Sequence, residues 1–465
     1  MNGTTIAAIA TPPGKGGIAV VRLSGPQALA KADRVFAPAD RTKTVAAAAG
    51  FTALLGYFYA EGRRCDQTVA LVFRAPKSYT GEEVVELSCH GGTAVVRVLL
   101  DACLAAGAQM AAPGEFTRRA FENGKLSLTQ AEAVMDLVEA DNAQAAAAAG
   151  AAMAGALWNT VRTMTAKLLE LLGHIAAWTD YPEEDVEELS DAQLLGTLHA
   201  LEAQLAKLVA EYDRGAAVRR GIPTVLAGAP NVGKSTLLNL LTGYEKAIVT
   251  PIAGTTRDVV EDTVTLDGVT LLLADTAGIH DTVDPVEKEG VRRSRERLDT
   301  AALVLAVFDT SRPLTAEEKE LAARLQEQQR SGRAVLFLLN KSDLAPAWEP
   351  DALFGPSCGQ PENLLSLSAN DTDHRARLEE AILRLLRLED FDPDAALLAN
   401  RRQLGCAREA LAAVREALAA RAAGLDLDAV GVCVQDALTA LYSLTGENAA
   451  DAVVDEVFSR FCVGK

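Results

Sequence analysis

The sequence has few aromatic residues and no closely spaced cysteines. Aromatic residues make up 5% of the chain, and its seven cysteines are scattered without a Cys-x-x-Cys pair. An odd, dispersed set of cysteines argues against a disulfide framework and against a zinc ribbon, and favours a reducing compartment. The start of the chain also lacks the basic segment of a secretory signal and the Arg- and Ser-rich pattern of a transit peptide. These absences predict a cytoplasmic location.

Basic charge and long hydrophobic runs are also scarce. The 45 Lys and Arg residues stand against 63 Asp and Glu residues, which gives a net charge of −18. A protein that holds nucleic acid mainly by neutralising phosphates carries the opposite sign, so only local basic spots remain open for that role. The most apolar stretch, 143–157, is mainly alanine and glycine and is too short to span a bilayer. It predicts one tightly packed helix and no membrane span.

Enough hydrophobic sequence is present for several cores. The chain has 465 residues, of which 49% are hydrophobic, and this length predicts about three domains. Short β-rich runs (18–23 and 69–73) alternate with a helical stretch (93–106), which indicates a small α+β domain over 1–118. From 119 to 216 the pattern is helical, with an acidic break at 181–185.

A pattern of alternating strands and helices is predicted in the middle of the chain. Over 217–380, short apolar runs alternate with charged helical stretches, which is typical of a mostly parallel sheet buried on both faces. The helical pattern returns over 381–465. The simplest account is an α/β domain inserted into a helical one. The apolar runs that predict strands are 224–227, 271–274, 302–308 and 334–339.

A phosphate-binding motif lies at the start of this middle domain. Residues 228–235 read Gly-Ala-Pro-Asn-Val-Gly-Lys-Ser, between an apolar strand and a helical run. In such a loop the glycines let backbone N–H groups surround the phosphates, while Lys234 reaches the outer phosphates and Ser235 offers its hydroxyl to Mg²⁺. The strand before and the helix after the motif support this interpretation.

Three further segments follow in the order that a guanine-nucleotide site requires. Asp-Thr-Ala-Gly at 275–278 closes one strand, and Asn-Lys-Ser-Asp at 340–343 closes another. Ser-Ala-Asn at 368–370 supplies a backbone contact to the guanine oxygen. The carboxylate of Asp343 can accept two hydrogen bonds from guanine that adenine cannot supply, so the site should reject ATP. The predicted nucleotide is GTP. The predicted GTP-binding residues are Asn231, Val232, Gly233, Lys234, Ser235, Thr236, Thr250, Thr255, Thr256, Asp275, Thr276, Ala277, Gly278, Asn340, Lys341, Asp343, Ser368 and Ala369.

The residue that orients the attacking water is not obvious from these motifs. Ile279 follows the Asp-x-x-Gly segment, where many small GTPases have glutamine. Arg257 is one candidate for an arginine finger, and Thr256 is interpreted as the mobile threonine that closes over Mg²⁺ and the γ-phosphate. Four acidic residues downstream could position the water or form a solvated surface. They are Asp281, Asp284, Glu287 and Glu289.

Segments outside the GTPase motifs resemble a known family. The sequence is similar to the MnmE (TrmE) family of tRNA modification GTPases over nearly its whole length, and the similarity is most specific at the two ends. The segments that carry it are 11–18, 79–83, 89–92, 113–121, 123–126 and the terminal Phe-Cys-Val-Gly-Lys at 461–465.

The resemblance implies a homodimer with three parts and a defined reaction. The parts are an N-terminal α+β folate-binding and dimerisation domain, a helical domain, and a Ras-like P-loop GTPase domain inserted in the latter. With the FAD-containing partner MnmG, the family adds aminomethyl or carboxymethylaminomethyl groups at C5 of the wobble uridine (U34) of certain tRNAs. The carbon donor is a tetrahydrofolate derivative, of the 5,10-methylene- or 5-formyl- type. FAD is supplied by the partner.

The resemblance also assigns residues. By position, the folate contacts are Arg22, Glu86, Lys125 and Lys465. Arginine and lysine suit the glutamate carboxylate of folate, and Glu86 suits the amino-pterin ring, although Glu86 could equally be an exposed strand residue. Potassium-dependent dimerisation of the GTPase domains replaces the arginine finger, and a hard oxygen set suits an alkali cation. The implied K⁺ ligands are Asn231, Thr250, Ile252 and Thr255.

The implied catalytic residues are Lys234, Thr256, Glu287 and Cys462, of which Glu287 aligns with the water-orienting glutamate of the family. Cys462 is either a nucleophile or a residue that places the tail beside the folate. The sequence departs from the family at His280, where arginine is frequent, and at Val463, where isoleucine is common. A GTP-gated RNA-binding factor for ribosome assembly and a stand-alone GTPase are the alternatives.

Overall fold

The structure, a computed structural model, describes residues 3–180, 190–242, 262–266, 268–275, 301–354 and 363–464. The chain divides into two compact units. The first contains residues 1–135, 152–207 and 401–465, and the second contains 136–151 and 208–400. Each unit has its own β-sheet.

The strands of the two sheets are β1 (Ile6–Ile9), β2 (Ile18–Ser24), β3 (Phe36–Pro38), β4 (Thr52–Ala60), β5 (Arg63–Phe73), β6 (Val84–His90), β7 (Gln109–Met110), β8 (Ile222–Ala227), β9 (Asp262–Leu266), β10 (Val269–Asp275), β11 (Leu303–Asp309), β12 (Ala334–Asn340) and β13 (Leu364–Ser366).

The helices of the described residues are α1 (Ala28–Val35), α2 (Thr93–Ala105), α3 (Glu115–Glu122), α4 (Leu128–Val138), α5 (Ala143–Met153), α6 (Ala156–Asp180), α7 (Asp191–Ala210), α8 (Tyr212–Arg220), α9 (Lys234–Thr242), α10 (Ala316–Arg330), α11 (Asp351–Phe354), α12 (His374–Leu385), α13 (Arg401–Ala422), α14 (Leu427–Thr445) and α15 (Asp451–Ser459).

The sheet of the first unit has seven strands in the order β3-β4-β5-β6-β2-β1-β7. Side chains alternate between its two faces, as they must in extended strands. On β2 and β6, for example, Val21 and Leu87 are buried with residues of α1 and α2, such as Leu29 and Leu99. The other face keeps Ile18 and Leu55 exposed. The predicted strands at 18–23 and 69–73 and the predicted helix at 93–106 are confirmed.

The helical part of the first unit contains α6, α7, α13 and α14. On α13 the buried residues recur with helical spacing, as at Leu404, Ala407 and Leu411, which places one stripe of the helix in a core. The helical pattern predicted after residue 381 is thus confirmed for α13 and α14. Within the described residues, α14 alone is long and apolar enough to cross a membrane. Of the 18-residue stretch that meets this criterion, 44% is buried inside the protein.

A buried ionic cluster ties α4 to α13 and α14. The guanidinium of Arg402 donates to both carboxylate oxygens of Glu132, at 2.9 and 2.7 Å, and to the carbonyls of Ser443 and Leu444. The amide of Gln403 donates to Glu132 at 2.6 Å. Glu132 is 8% exposed, so its charge is fully compensated by these donors, as a buried carboxylate requires.

The sheet of the second unit has the order β13-β12-β11-β8-β10-β9. Its strands pair in parallel except for β9, which is antiparallel to β10. All residues of β11 are buried, because apolar clusters cover both faces of the sheet. The mostly parallel sheet and its four predicted strands are confirmed. The antiparallel edge strand was not predicted.

Two expectations differ from the structure. The stretch 143–157 is not one helix, because α5 ends at Met153 and α6 begins at Ala156, with Gly155 between them at a φ of +97°. The borders of the two compact units also differ from the borders of the predicted domains. In the second unit, Arg219 of α8 donates to the carbonyls of Leu398 and Ala399, which extends that unit beyond 217–380.

Candidate functional site

The phosphate-binding loop joins β8 to α9 and depends on two glycines with positive φ. Gly228 has a φ of +156° and Gly233 a φ of +100°. A Cβ at Gly228 would overlap the carbonyl oxygen of Val307, and one at Gly233 would overlap the amide nitrogen of Asn340. Any side chain would therefore push the loop away from the neighbouring strands. This explains why the motif needs glycine at both ends of the loop.

The ammonium of Lys234 lies across the same loop. Lys234 is the first residue of α9, and its Nζ donates to the carbonyls of Gly228 and Ala229, at 2.8 and 3.0 Å. Ser235 and Thr236 follow in the first turn. The loop thus combines a helix N-terminus, which favours anions, with a fixed positive charge. The hydroxyl of Ser235 is an oxygen ligand of the kind Mg²⁺ prefers, so the described residues fit the ion.

Asn340 joins three of the predicted GTP segments. It ends β12 and is 3% exposed. Its Nδ2 donates to the carbonyl of Val232 at 2.7 Å, and its Oδ1 accepts a hydrogen bond from the N–H of Ala369 at 2.9 Å. The phosphate loop, the Asn-Lys-Ser-Asp segment and the Ser-Ala-Asn segment therefore meet at one side chain. Sequence reasoning predicted a role for Asn340 but not this structural one.

Asp343, whose carboxylate is predicted to bind the guanine base, is exposed and lies three residues after Asn340. A hydrogen bond from Ser368 is the main reason that its pKa is lowered, and the charges of Lys341 and His374 act in the same direction. Asp343 is therefore ionised near neutral pH and can accept hydrogen bonds. The structure places Lys341, Asp343 and Ser368 at the carboxyl ends of parallel strands, where ligands bind in open α/β sheets.

Part of the predicted GTPase site lies outside the described residues. Asp275 ends β10 within them, and its backbone pairs with β8. Lys465, which is predicted to bind folate, also lies outside the described residues. The residues of the GTPase predictions that lie outside are Thr250, Ile252, Thr255, Thr256, Arg257, Thr276, Ala277, Gly278, Ile279, His280, Asp281, Asp284, Glu287 and Glu289.

A second cluster lies on the sheet of the first unit. Arg22 of β2 and Glu86 of β6 face each other across the ladder, with Nε and Oε1 2.8 Å apart. The guanidinium carbon of Arg22 lies 5.5 Å from the ring centres of both Tyr79 and Phe116. Burial raises the pKa of Tyr79, whose hydroxyl is 2.9 Å from that of Thr117. The site thus presents a carboxylate beside aromatic rings.

This pairing corrects one expectation about folate. Arg22 and Glu86 were assigned to the glutamate and pterin ends of the molecule, but they contact each other directly. Residues in contact cannot bind the two ends of one extended ligand. Arg22 therefore fits a role in orienting Glu86, at the same end of the site. The aromatic partners Tyr79 and Phe116 were missed, although both lie in segments that carried the family resemblance.

Lys125 follows α3 and contacts the loop between β5 and β6, which holds Tyr79. Its Nζ donates to the carbonyl of Pro76 at 3.1 Å, and a Cβ added at Gly81 would lie 3.4 Å from its Cγ. Asn123 donates to the carbonyl of Thr80 at 2.8 Å. The segment 123–125 is therefore fixed against the loop, and the charge of Lys125 is exposed at its edge.

The tail of the chain folds against the segment before α3 and the end of β1. Val463 forms an antiparallel bridge with Pro113, and the N–H of Gly114 donates to the carbonyl of Cys462. Gly464 is so close to the carbonyl of Ile9 that a Cβ could not fit. Cys462 itself is exposed. The placing of the tail beside the candidate folate residues stays a prediction.

Comparison with known proteins identifies the family. The model of the MnmE helical domain matches residues 128–462, and that of the GTP-binding protein TrmE N-terminus matches residues 5–125. The tRNA modification GTPase MnmE of Symbiobacterium thermophilum is 42% identical over 466 residues, which is 100% of both chains. The chain belongs to the MnmE family of tRNA modification GTPases. It is accordingly a GTPase.

Other relatives agree over the same length. The MnmE protein of a Synechococcus strain is 41% identical over 99% of this chain and 98% of its own. That of Levilactobacillus brevis is 39% identical with the same coverage. A solved structure of Era from Aquifex aeolicus, bound to GDP and AlF4⁻, is 26% identical over 41% of this chain and 65% of its own, with a TM-score of 0.29.

Proposed function

We propose that this protein is the GTP-hydrolysing component of a cytoplasmic complex that modifies tRNA at C5 of the wobble uridine (U34). Its partner would be the FAD-containing protein MnmG, and the added group would be aminomethyl or carboxymethylaminomethyl. The observation that carries the proposal is the Arg22–Glu86 pair, which lies beside the aromatic rings of Tyr79 and Phe116. A ribosome-assembly factor would have no use for a folate site.

A tetrahydrofolate derivative fits the residues of the first unit. Glu86 offers a carboxylate for the amino and imino groups of a pterin ring, Arg22 orients that carboxylate, and Tyr79 and Phe116 offer aromatic surface. Lys125 and Lys465 supply positive charge for the glutamate carboxylates. When bound, the folate would supply the one-carbon unit. Cys462 lies in the segment that closes this region.

The decisive test is nucleoside analysis of tRNA from cells that lack this protein. We expect the C5-substituted wobble uridines to disappear and their unmodified precursor to accumulate. Calorimetric titration of the purified protein with 5-formyl-tetrahydrofolate should show binding that the Glu86→Gln variant weakens. Intact C5-substituted uridines in the deletion strain, or no folate binding by the wild type, would refute the proposal.

GTP hydrolysis in this proposal uses Mg²⁺ and K⁺. Ser235 and Thr256 would hold Mg²⁺, while Asn231, Thr250, Ile252 and Thr255 would hold K⁺. Together the two cations neutralise charge on the phosphates. Of these residues Asn231 and Ser235 lie within the described part, and Asn231 has a φ of +61° in the phosphate loop. Lys234 binds the outer phosphates, and Glu287 orients the attacking water.

The cation requirement separates this proposal from a stand-alone GTPase. We expect kcat for GTP to fall at least about tenfold when Na⁺ replaces K⁺, because the smaller ion fits the oxygen set poorly. Glu287→Ala should lower kcat by about 10²-fold or more, whereas the matched control Glu289→Ala should change it by less than about twofold. Equal rates in the two salts, or an unchanged rate for Glu287→Ala, would contradict this mechanism.

A homodimer is also part of the proposal, and the sheet of the first unit supports it. One face is covered by α1 and α2, but the other keeps large apolar side chains exposed. Ile18 is 68% exposed, Leu55 54% and Phe51 70%. Large apolar side chains left exposed on one face of a sheet favour an interaction site there. We assign it to a second copy of this chain, since a self-complementary interface is the commonest one in soluble oligomers.

A further inference from the structure

Lys341 has a backbone conformation that non-glycine residues rarely adopt. It follows β12 directly, two residues before Asp343, and has a φ of +65°. A residue with a Cβ is strained in this left-handed region. Its Nζ lies 2.6 Å from Oδ2 of Asp309. The ion pair with Asp309 therefore holds the side chain of Lys341 while the backbone makes this turn.

Asp309 is itself fixed by the fold. It is the last residue of β11, directly opposite Asn340 of β12, and its side chain is 3% exposed. The N–H and hydroxyl of Ser311 donate to its Oδ1, at 2.9 and 2.6 Å. The indole N–H of Trp348 donates to its main-chain carbonyl at 3.0 Å. The carboxylate thus has a set position from which it can hold a cation.

Lys341 is the cation that Asp309 holds most closely. The Nε of Arg312 is 3.8 Å from Oδ2 of Asp309, but its two terminal nitrogens bind the carboxylate of Glu318 at 3.0 and 2.8 Å. Burial alone would raise the pKa of Asp309, but the hydrogen bonds from Lys341 and Ser311 outweigh it and lower the pKa. Asp309 is therefore charged at neutral pH, and Arg312 serves mainly Glu318.

We propose that Asp309 is a positioning residue for guanine recognition. By anchoring the ammonium of Lys341, it fixes the left-handed turn that determines where the carboxylate of Asp343 stands. Nothing in the GTPase motifs includes Asp309, which lies 32 positions before Lys341 in the sequence. The inference rests on the proposed reading of guanine by Asp343, and the experiment below tests the two separately.

Inosine triphosphate separates positioning from simple stability. Hypoxanthine keeps the N1–H of guanine but lacks its 2-amino group, so it can give Asp343 one hydrogen bond instead of two. The ratio of the Kd for ITP to the Kd for GTP therefore measures how well Asp343 is placed. A substitution that merely loosens the unit weakens both nucleotides alike, whereas a misplaced Asp343 lowers the ratio.

The test measures Kd for GTP and ITP by calorimetry, and kcat at saturating GTP, in the full-length protein. For Asp309→Asn we expect GTP to bind about tenfold more weakly and ITP about twofold, with kcat within about twofold of the wild type. The exposed aspartate of the same unit, Asp390→Asn, is the matched control and should leave both Kd values unchanged. Equal weakening of GTP and ITP by Asp309→Asn, or no weakening, would overturn the inference.

A cycle with Asp343→Asn completes the experiment. If Asp343 reads guanine, Asp343→Asn weakens GTP, and adding Asp309→Asn to it changes the GTP affinity by less than about twofold. If Asp343→Asn leaves GTP binding intact, the proposed guanine contact fails, whatever Asp309 does. If Asp309→Asn does not fold, Ser311→Ala tests the inference instead, because it removes one hydrogen bond from the carboxylate of Asp309. It should lower the ITP to GTP ratio by about two- to threefold, and an unchanged ratio would refute the inference.

Discussion

At the scale of single residues, the cysteines differ sharply in their expected reactivity. Burial raises the pKa of Cys89 to about 11 and that of Cys103 to about 12, and both side chains are buried. Cys65 and Cys462 are exposed. Because the thiolate is the reactive form, the buried pair should resist alkylation. Of the described cysteines, these four give the clearest contrast.

We expect N-ethylmaleimide at pH 7.5 to label Cys65 and Cys462 in the native protein within minutes, and to leave Cys89 and Cys103 unlabelled until the protein is denatured. Peptide mass spectrometry before and after adding urea measures this directly. Labelling of Cys103 in the native state would show that the core between α2 and the sheet opens readily. Protection of Cys462 would show that the tail is covered by something other than its own unit.

The sequence indicated single residues where a motif fixes their chemistry. Lys234 and Asp343 belong to segments whose residue types are tied to a ligand, whereas Glu86 was assigned only through the family resemblance. Tyr79 and Asp309 could not be predicted in this way, because their roles come from contacts across the sheet with residues far away in the sequence. One signal was available for Asp309: like Asp275 and Asn340, it is a polar residue that ends a buried strand.

At the scale of helices, two ion pairs join distant segments of the first unit but differ in burial. The Glu132–Arg402 pair links α4 to α13, with side chains 8% and 20% exposed. The Arg118–Asp455 pair links α3 to α15, with side chains 37% and 60% exposed. Breaking a buried pair strands a charge in the protein, whereas an exposed pair contributes little.

The two pairs therefore make a matched experiment. We expect Glu132→Ala to destabilise the unit by about 3 kcal/mol, seen as a clear fall in the urea midpoint, because Arg402 and Gln403 lose their shared acceptor. Asp455→Ala should cost less than about 1 kcal/mol. Both are followed by circular dichroism. Equal effects of the two substitutions would mean that the buried cluster is not a principal contact between α4 and α13.

The exposed sheet face gives a prediction about assembly. Leu55→Glu places a charge in the proposed dimer interface, and we expect it to shift the protein to the monomer mass in light scattering at micromolar concentration. Val432→Glu is the matched control, since Val432 of α14 is 63% exposed and lies outside that face. A wild type that is monomeric at tens of micromolar, or a dimeric Leu55→Glu variant, would contradict the assigned interface.

Strands and helices with a clear hydrophobic pattern in the sequence were predicted, and those without such a pattern were not. The buried strands β8, β10, β11 and β12 appear as apolar runs because both faces of each strand are covered. The antiparallel β9 is a short edge strand whose residues 262–266 lack such a run. The break at Gly155 could not be predicted from alanine-rich sequence, because a single glycine fits inside a helix as well as between two.

At the scale of the whole chain, the division into two units makes the two ligand sites separable. The candidate GTP residues within the described part lie in the second unit, and Arg22, Glu86 and the tail lie in the first. A chain that ends at Ser459 lacks the bridge between Val463 and Pro113. We expect it to lose binding of 5-formyl-tetrahydrofolate, while its Kd for GDP stays within about twofold of the wild type. Calorimetry with each ligand measures both effects.

Retention of folate binding by the shortened chain would show that the tail only covers the site. Loss of GDP binding as well would show that the tail supports both units. The helical halves around the second unit were predicted as an insertion, but the sequence could not locate the borders. They depend on packing, as in the contact of Arg219 with the carbonyls of Leu398 and Ala399.

The closure of the first unit by its own tail has a consequence for biosynthesis. Arg118 and Asp455 pair although they are 337 positions apart, and the partners of Pro113 and Gly114 come later still. During translation α3 and α4 leave the ribosome long before the segment that packs against them. Until that segment is made, apolar side chains such as Phe121 and Leu128 lack their partners Phe458 and Phe461, so the nascent chain exposes this surface. Ribosomes that stop early would release chains that the cell can recognise and degrade as unfinished.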